Sequence, residues 1–276
     1  MPPRSPVTAT PVGDTVAFEP DPRRPVRLRA RPLPADSRFD PHSHAWSQLA
    51  YCASGVVQVT TLREGAGSQE VTYIVPPSRA VWIAPGARHS VHVLEAASFR
   101  TLYVDASATP PGWQRCRVIV VSSLLREAVQ ALDGAQADPA RERLLTALVL
   151  DELARADTQA LGVPLPPAQG GNRRLRILCE AVLRDPAGCE TLADWAAGVG
   201  ASERTMARLF RVELGTSYQR WRQQAILAHA LPMLARGLPV SHVAALSGYA
   251  SDSAFSAMFK AAMGQPPSRF RGGAAA

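Results

Sequence analysis

The chain lacks the features that would place it in several large classes. Lys260 is its only lysine, so the formal charge of +7 rests on arginine. That bias follows a GC-rich coding sequence as readily as a function and decides nothing alone. The four cysteines, Cys52, Cys116, Cys179 and Cys189, show no CxxC spacing, which excludes such a motif and points to reduced thiols in the cytoplasm. Cys116, between Arg115 and Arg117, reads either as a thiol of lowered pKa or as an ordinary partly buried one. No apolar run reaches membrane-spanning length; the richest, Val118 to Leu125, is far too short. The N-terminal MPPRSPVTATPVGD has no apolar core of a secretory leader. A cytoplasmic chain with no membrane partner is the expectation.

What is present is a repeat. GASERTMARLFRVELG, opened by Ser202 and closed on Gly215, returns as YASDSAFSAMFKAAMG, opened by Ser251 and closed on Gly264. One shift of 49 residues carries Met206 to Phe255, Leu209 to Met258, Phe210 to Phe259, Arg220 to Arg269, Trp221 to Phe270 and Arg222 to Arg271. Each copy has helix punctuation, because a serine oxygen accepts from a free N–H of the first turn and a glycine ends the last. Between the caps the apolar residues form one stripe of a 3.6-residue helix, which faces a core. The other face carries Arg204, Ala207, Arg208 and Arg211 in the first copy, and Ser253, Ser256, Ala257 and Lys260 in the second. Upstream lie two shorter apolar helices, Leu192 to Val199 and Val240 to Leu246, each followed by a glycine-containing turn. Each combination spells a helix-turn-helix unit, whose second helix reads the major groove. The stretch from Ser217 to Gly237 predicts a connecting helix that Pro232 kinks or locally weakens. It would set the two heads about 34 Å apart along one face of a duplex.

With these residues in view, the chain resembles the AraC/XylS family of bacterial transcription regulators. The resemblance is carried by SERTMARLFR, by WRQQAILAHALPMLARG and above all by VAALSGYASDSAFSAMFKAAMGQPPSRFR. It covers about a third of the chain at many fixed spacings, whereas a single helix-turn-helix would be a weak signal. It places base-reading positions on Arg204, Ala207 and Arg208 in the first unit and on Asp252, Ser253, Ser256 and Ala257 in the second. An alanine at 257 cannot make the bidentate bonds to guanine that an arginine makes. The first unit is therefore expected to specify, through Arg204 and Arg208, and the second to hold. A pI near 9.8 suits a polyanionic partner. Trp195, Trp221, Phe210, Phe255, Phe259 and Phe270 read as core. Arg211, Arg220, Arg222, Arg269 and Arg271 read as phosphate ligands, intramolecular donors or solvated side chains.

The first half has another pattern. After a Pro- and Arg-rich tail, expected to be poorly ordered over residues 1–24, come VRLRARPL, SQLAYCAS, VVQVTTL, EVTYIV, AVWIA, SVHVL and FRTLYV. Turn signals separate them, at Ser54-Gly55, from Gly65 to Ser68, at Pro76-Pro77 and at Pro85-Gly86. Many short strands predict an antiparallel sandwich or barrel. PHSHAWSQLAY and WIAPGARH resemble the cupin barrel with which many AraC-family members sense a ligand. In cupins these motifs supply metal ligands, and the matching positions here are His42, His44, Gln48 and His89. His42 and His44 are two apart, so a strand would point both to one face. Gln48 stands where a cupin has a glutamate. Three readings follow: a divalent metal site, a metal-free effector pocket, or histidines that satisfy one another. Trp82, with Trp46 and Tyr51, would line either pocket; His92 alternates away.

Two apolar-striped helices follow, SSLLREAVQALDG and DPARERLLTALVLDELARAD, the latter with Leu144, Leu145, Leu148 and Leu153. They suit packing on the barrel, and the resemblance also implies a homodimer contact there. LGVPLPPAQGG has the composition of a linker. The expected architecture is multi-domain α+β: a cupin-like effector domain over 25–160, a linker over 161–171 and an all-α double helix-turn-helix domain over 172–272. The implied partners are a double-stranded operator, a small-molecule effector and, for an activator, RNA polymerase. A reading of another class is a cupin enzyme with a DNA-binding tail. Gln48 and the lack of a catalytic acid beside the histidines count against it, so no enzymatic activity is expected. No cysteine lies in a Pro-Cys-His motif, which counts against an alkyl-accepting repair protein.

Overall fold

A strand-rich first half is followed by a helical second half. The computed structural model describes residues 16–63, 69–133, 138–159, 161–167, 170–188 and 191–271. Two compact units result, residues 1–61 with 73–161, and residues 62–72 with 162–276.

The first unit is built on strands β1 (Val26–Leu33), β2 (Arg38–His42), β3 (Ser47–Arg63), β4 (Gln69–Val75), β5 (Arg79–Ile83), β6 (His89–Val104), β7 (Arg117–Val120) and β8 (Thr158–Gln159). They pair in the order β1-β6-β3-β5-β7-β8, with β2 on β6 and β4 on β3. The registers along that order are antiparallel. Cross-strand partners share a face. Val26 lies opposite Val104, Leu28 opposite Leu102, and Leu49 opposite both Leu102 and Trp82. This face is covered by α1 (Ser123–Asp133) and α2 (Pro139–Arg155), whose Leu125, Val129, Leu132, Val149 and Leu153 complete one core. The α2 helix starts cleanly, because Asp138 accepts from the N–H groups of Ala140 and Arg141.

Gly55 is not a hairpin turn. SQLAYCAS and VVQVTTL are one strand of 17 residues, bulged around Gly55, and SVHVL and FRTLYV likewise merge into β6. Gly55 has φ +80°, and a Cβ there would stand 2.2 Å from the Ala96 oxygen and 2.6 Å from Ala97 Cα. Backbone-on-backbone approach at a bulge admits only glycine. Before β1, Val16–Phe18 form a 3-10 turn, and Arg24 reaches Glu142 at 2.6 Å.

In the second unit, part of the expected linker is structural. Strand β9 (Gly162–Leu165) pairs with β4, whose first residues belong to this unit. Its Val163 and Leu165 join the helical core, and the Pro164 carbonyl accepts from the Trp221 indole at 2.7 Å. The helices are α3 (Arg173–Arg184), α4 (Leu192–Gly198), α5 (Glu203–Glu213), α6 (Tyr218–Ala235), α7 (Val240–Leu246) and α8 (Asp252–Met263), followed by a 3-10 turn at Pro267–Phe270. Ser202 and Ser251 cap α5 and α8 by accepting from Thr205 N and Ala254 N. α6 runs unbroken through Pro232, which sits in its last turn and, lacking an N–H, leaves one bond of the ladder unmade.

The repeat is not uniform. α4 and α7 begin 48 residues apart, at Leu192 and Val240, while α5 and α8 begin 49 apart, at Glu203 and Asp252. Both turns open alike, with Gly200 N on Ala197 O and Gly248 N on Ala245 O, each at 3.0 Å. Ala201 N then bonds Ala196 O at 2.9 Å, and Tyr249 N bonds Ala244 O at 3.0 Å. The second turn thereafter accommodates one extra residue, Ala250, before its serine cap.

Candidate DNA interface and histidine cluster

The core stripe of each unit fixes which residues α5 and α8 present outward. Met206, Leu209 and Phe210 are buried, as are Phe255 and Phe259, with Met258 half-buried. Phe210 packs 5.3 Å from Trp221, and Phe259 packs 5.1 Å from Phe270, the pair that the repeat predicts. Arg204, Arg208 and Arg211 therefore stand exposed on one face of α5, beside a half-buried Ala207. None of the three forms an ion pair with a described residue. On α8, Asp252, Ser253, Ala257 and Lys260 are exposed and Ser256 half-buried. One face thus offers three cations, and the other a single lysine offset by an aspartate. The second turn's extra residue supplies a further difference between the heads.

Two arginines left open by the sequence are scaffold donors. Arg222 donates to Pro186 O at 3.1 Å, and its repeat partner Arg271 donates to Gly237 O at 3.0 Å. Each ties its copy to the loop before that copy's first helix. Arg220 and Arg269 stay exposed.

The histidines meet for a reason other than strand alternation. His42 ends β2 opposite His89, the first residue of β6, while His44 lies in the β2–β3 connection. Ring centroids are 4.3 Å apart for His42 and His89 and 5.1 Å for His44 and His89. One nitrogen of each lies within 4.8 Å of the others. All three Nδ1 atoms face backbone carbonyls: His42 that of Asp40 at 2.8 Å, His44 that of Trp46 at 2.7 Å, and His89 that of Ala87 at 2.9 Å. A carbonyl only accepts, so each Nδ1 carries the proton and donates. Burial holds His89 neutral, with its pKa near 3, and lowers that of His44. Their Nε2 atoms are therefore lone-pair donors, and that of His89 is buried without a partner.

His44 Nε2 lies 2.7 Å from Gln48 Oε1. Two lone pairs do not attract. The contact requires either a turned amide that donates its NH2 to the ring or a cation toward which both atoms point. The donor set thus fits a divalent ion, with carbonyl-anchored imidazoles of the kind that orient metal ligands.

Trp46 stacks on His44 at 5.3 Å and 4° and, as the sequence suggests, lines the cluster. Trp82 and Tyr51 do not. They lie on the helix-covered face, where Trp82 packs on Trp113 and donates to its carbonyl at 3.0 Å. The reason is register: Gln48 pairs with Ile83 and Tyr103, so their neighbours Leu49, Trp82 and Leu102 point the other way. Tyr103, not recognised from the sequence, takes the predicted place of Trp82, with its ring 5.8 Å from His44. Burial raises its pKa. Alternation in FRTLYV separates Tyr103 from Leu102 and Val104 but does not say which face holds the histidines. His92 stands apart, 3.6 Å from Asp36. The Cys116 thiol is pushed up by burial, not lowered by its arginine neighbours. Cys52 and Cys179 are buried free thiols, and Cys189 lies outside the described residues.

Known proteins share both halves. A family described as a helix-turn-helix domain matches residues 195–273, and one described as an AraC-like ligand binding domain matches residues 24–151. The HTH-type transcriptional regulator NimR of Escherichia coli (strain K12) is 34% identical over 234 residues, covering 83% of this chain and 81% of that protein. The Arabinose operon regulatory protein of the same strain is 27% identical over 146 residues, 52% of this chain and 49% of that protein. The crystal structure of ToxT from Vibrio cholerae O395 is 13% identical, with a TM-score of 0.37, covering 89% of this chain and 96% of that one.

Proposed function

Since this chain belongs to the AraC/XylS family of transcriptional regulators, with an AraC-type helix-turn-helix DNA-binding domain behind an AraC-like ligand-binding domain, we propose that its histidine cluster is the sensing site and that its two DNA-binding units act unequally. His42, His44 and His89 with Gln48 would hold a divalent ion, whose open positions would take a donor atom of the effector beside Trp46 and Tyr103. The observation that carries this is the convergence of one nitrogen from each of three imidazoles, each ring held through its Nδ1 on a backbone carbonyl. An effector acts only if it binds the DNA-competent and incompetent states with different affinity. The turned Gln48 amide favours a second reading, a metal-free pocket in which the same residues hydrogen-bond the effector. The role is regulatory, exercised in the cytoplasm. Among the described residues no helix is long and apolar enough to cross a membrane. Metal-dependent turnover abolished by His44→Ala would replace this reading with an enzymatic one.

On DNA, Arg204 and Arg208 of α5 read bases, while the α8 face, including Asp252, Ser253, Ser256, Ala257 and Lys260, orients and holds. Arg208→Ala is expected to weaken a cognate site by about 1–3 kcal/mol and to relax preference at one position. Quantitative mobility shifts on cognate and random duplexes check it. An equal loss on both would assign Arg208 to phosphate.

A homodimer through α2 is supported by Leu144, which is 75% exposed on the side of the helix away from its buried Thr146, Val149 and Leu153. Sedimentation at micromolar concentration should give a dimer that Leu144→Glu turns into a monomer. A wild-type monomer would remove the proposal.

A further inference from the structure

On the other face of the sheet from the histidines, a cavity of about 480 Å³ opens between the Arg23–Val26 segment and α2. Its size lies within the roughly 300–1,000 Å³ typical of small-molecule pockets. The floor is apolar, from Val26 and Leu150, and the rim is charged, with Arg23, Arg24 and Arg143 against Glu142. Three cations face one anion there. Glu142 Oε1 takes Arg24 Nη2 at 2.6 Å, yet Arg24 Nε is buried without any partner. A buried donor left unsatisfied is uncommon in a native fold and calls for an acceptor. A carboxylate is the acceptor that a guanidinium edge binds best.

We propose that this cavity is a second ligand site, taking a compact organic carboxylate whose apolar body rests on Val26 and Leu150 and whose head accepts from Arg24. Glu142 is then a competitor for the same guanidinium. The site is independent of the histidine cluster: α2 and the start of β1 build it, and no residue is shared.

Titration calorimetry on the full chain tests it with three isosteres, cyclohexanecarboxylate, cyclohexylmethanol and cyclohexylammonium. The carboxylate should bind at least about tenfold more tightly than the alcohol, and the ammonium should not bind. Arg24→Met should weaken the carboxylate by about tenfold or more, whereas Glu142→Gln should tighten it by freeing the guanidinium. The opposite signs keep the test decisive even if Arg24→Met folds poorly. Equal binding of the three compounds, no binding of the carboxylate, or carboxylate binding unchanged in Glu142→Gln would overturn the proposal.

Discussion

Elemental analysis of protein purified without a histidine tag should find about one divalent ion per chain, and His44→Ala should bind it at least about 100-fold more weakly. The magnitude follows from the donor set. Loss of an outer partner that merely orients a ligand already costs about 10–100-fold, and His44 is itself a proposed ligand whose Nδ1–H is spent on Trp46 O. Gln48→Glu should act in the opposite direction. It puts an anionic oxygen where the neutral amide oxygen lies 2.7 Å from His44 Nε2, and a carboxylate is the better partner for a divalent charge. Equal and negligible metal in the wild type and in His44→Ala would leave only the metal-free pocket. Equal and substantial metal in both would move the ion elsewhere.

Phe210→Ala should lower the stability of the DNA-binding unit by about 3–5 kcal/mol. Phe210 is fully buried, and its ring touches Tyr218 and Trp221, each at 5.3 Å. Removing it opens a cavity under the α5 face that carries Arg204 and Arg208. It also loosens Trp221, whose indole secures β9. Phe259→Ala should cost a similar amount, because the second copy repeats the contact through Phe270. Denaturation followed by a probe within this unit checks both, since a chain of two units need not unfold in one step. An unchanged midpoint in Phe210→Ala would show that the paired aromatic cores are not what supports the reading helices.

Much of the DNA-binding unit was legible because its signals are local. A serine cap, a stripe at three and four and a closing glycine lie within one helix, and they placed α5 and α8 almost to the residue. The helix over 173–184 was not singled out, although Leu175, Leu178, Cys179 and Val182 are buried at helical spacing. The candidate site in the first half was less legible. The motif positions His42, His44, Gln48 and His89 come together, but one face of a strand is not what joins the first two. Alternation assigns residues to two faces without labelling either, so it separates Trp82 from Ile83 and Tyr103 from Leu102 but does not say which of them faces the histidines.

The sequence by itself determined the kind of protein: two capped helix-turn-helix copies, a strand-rich half, a metal-capable motif and no membrane-length apolar run. Periodicity, caps and turn residues act over a few positions, so they are written where they act. The tertiary structure decided the rest. It made Gly55 a bulge inside a long strand, because Ala96 and Ala97 come from a partner strand some forty residues away. It gave Arg222 and Arg271 to loop carbonyls and left Arg204 and Arg208 to the outside. It also turned Trp82 into the helix-covered core and Tyr103 toward the histidines, since only the packing of α1 and α2 on one face decides which side of a sheet remains for a ligand.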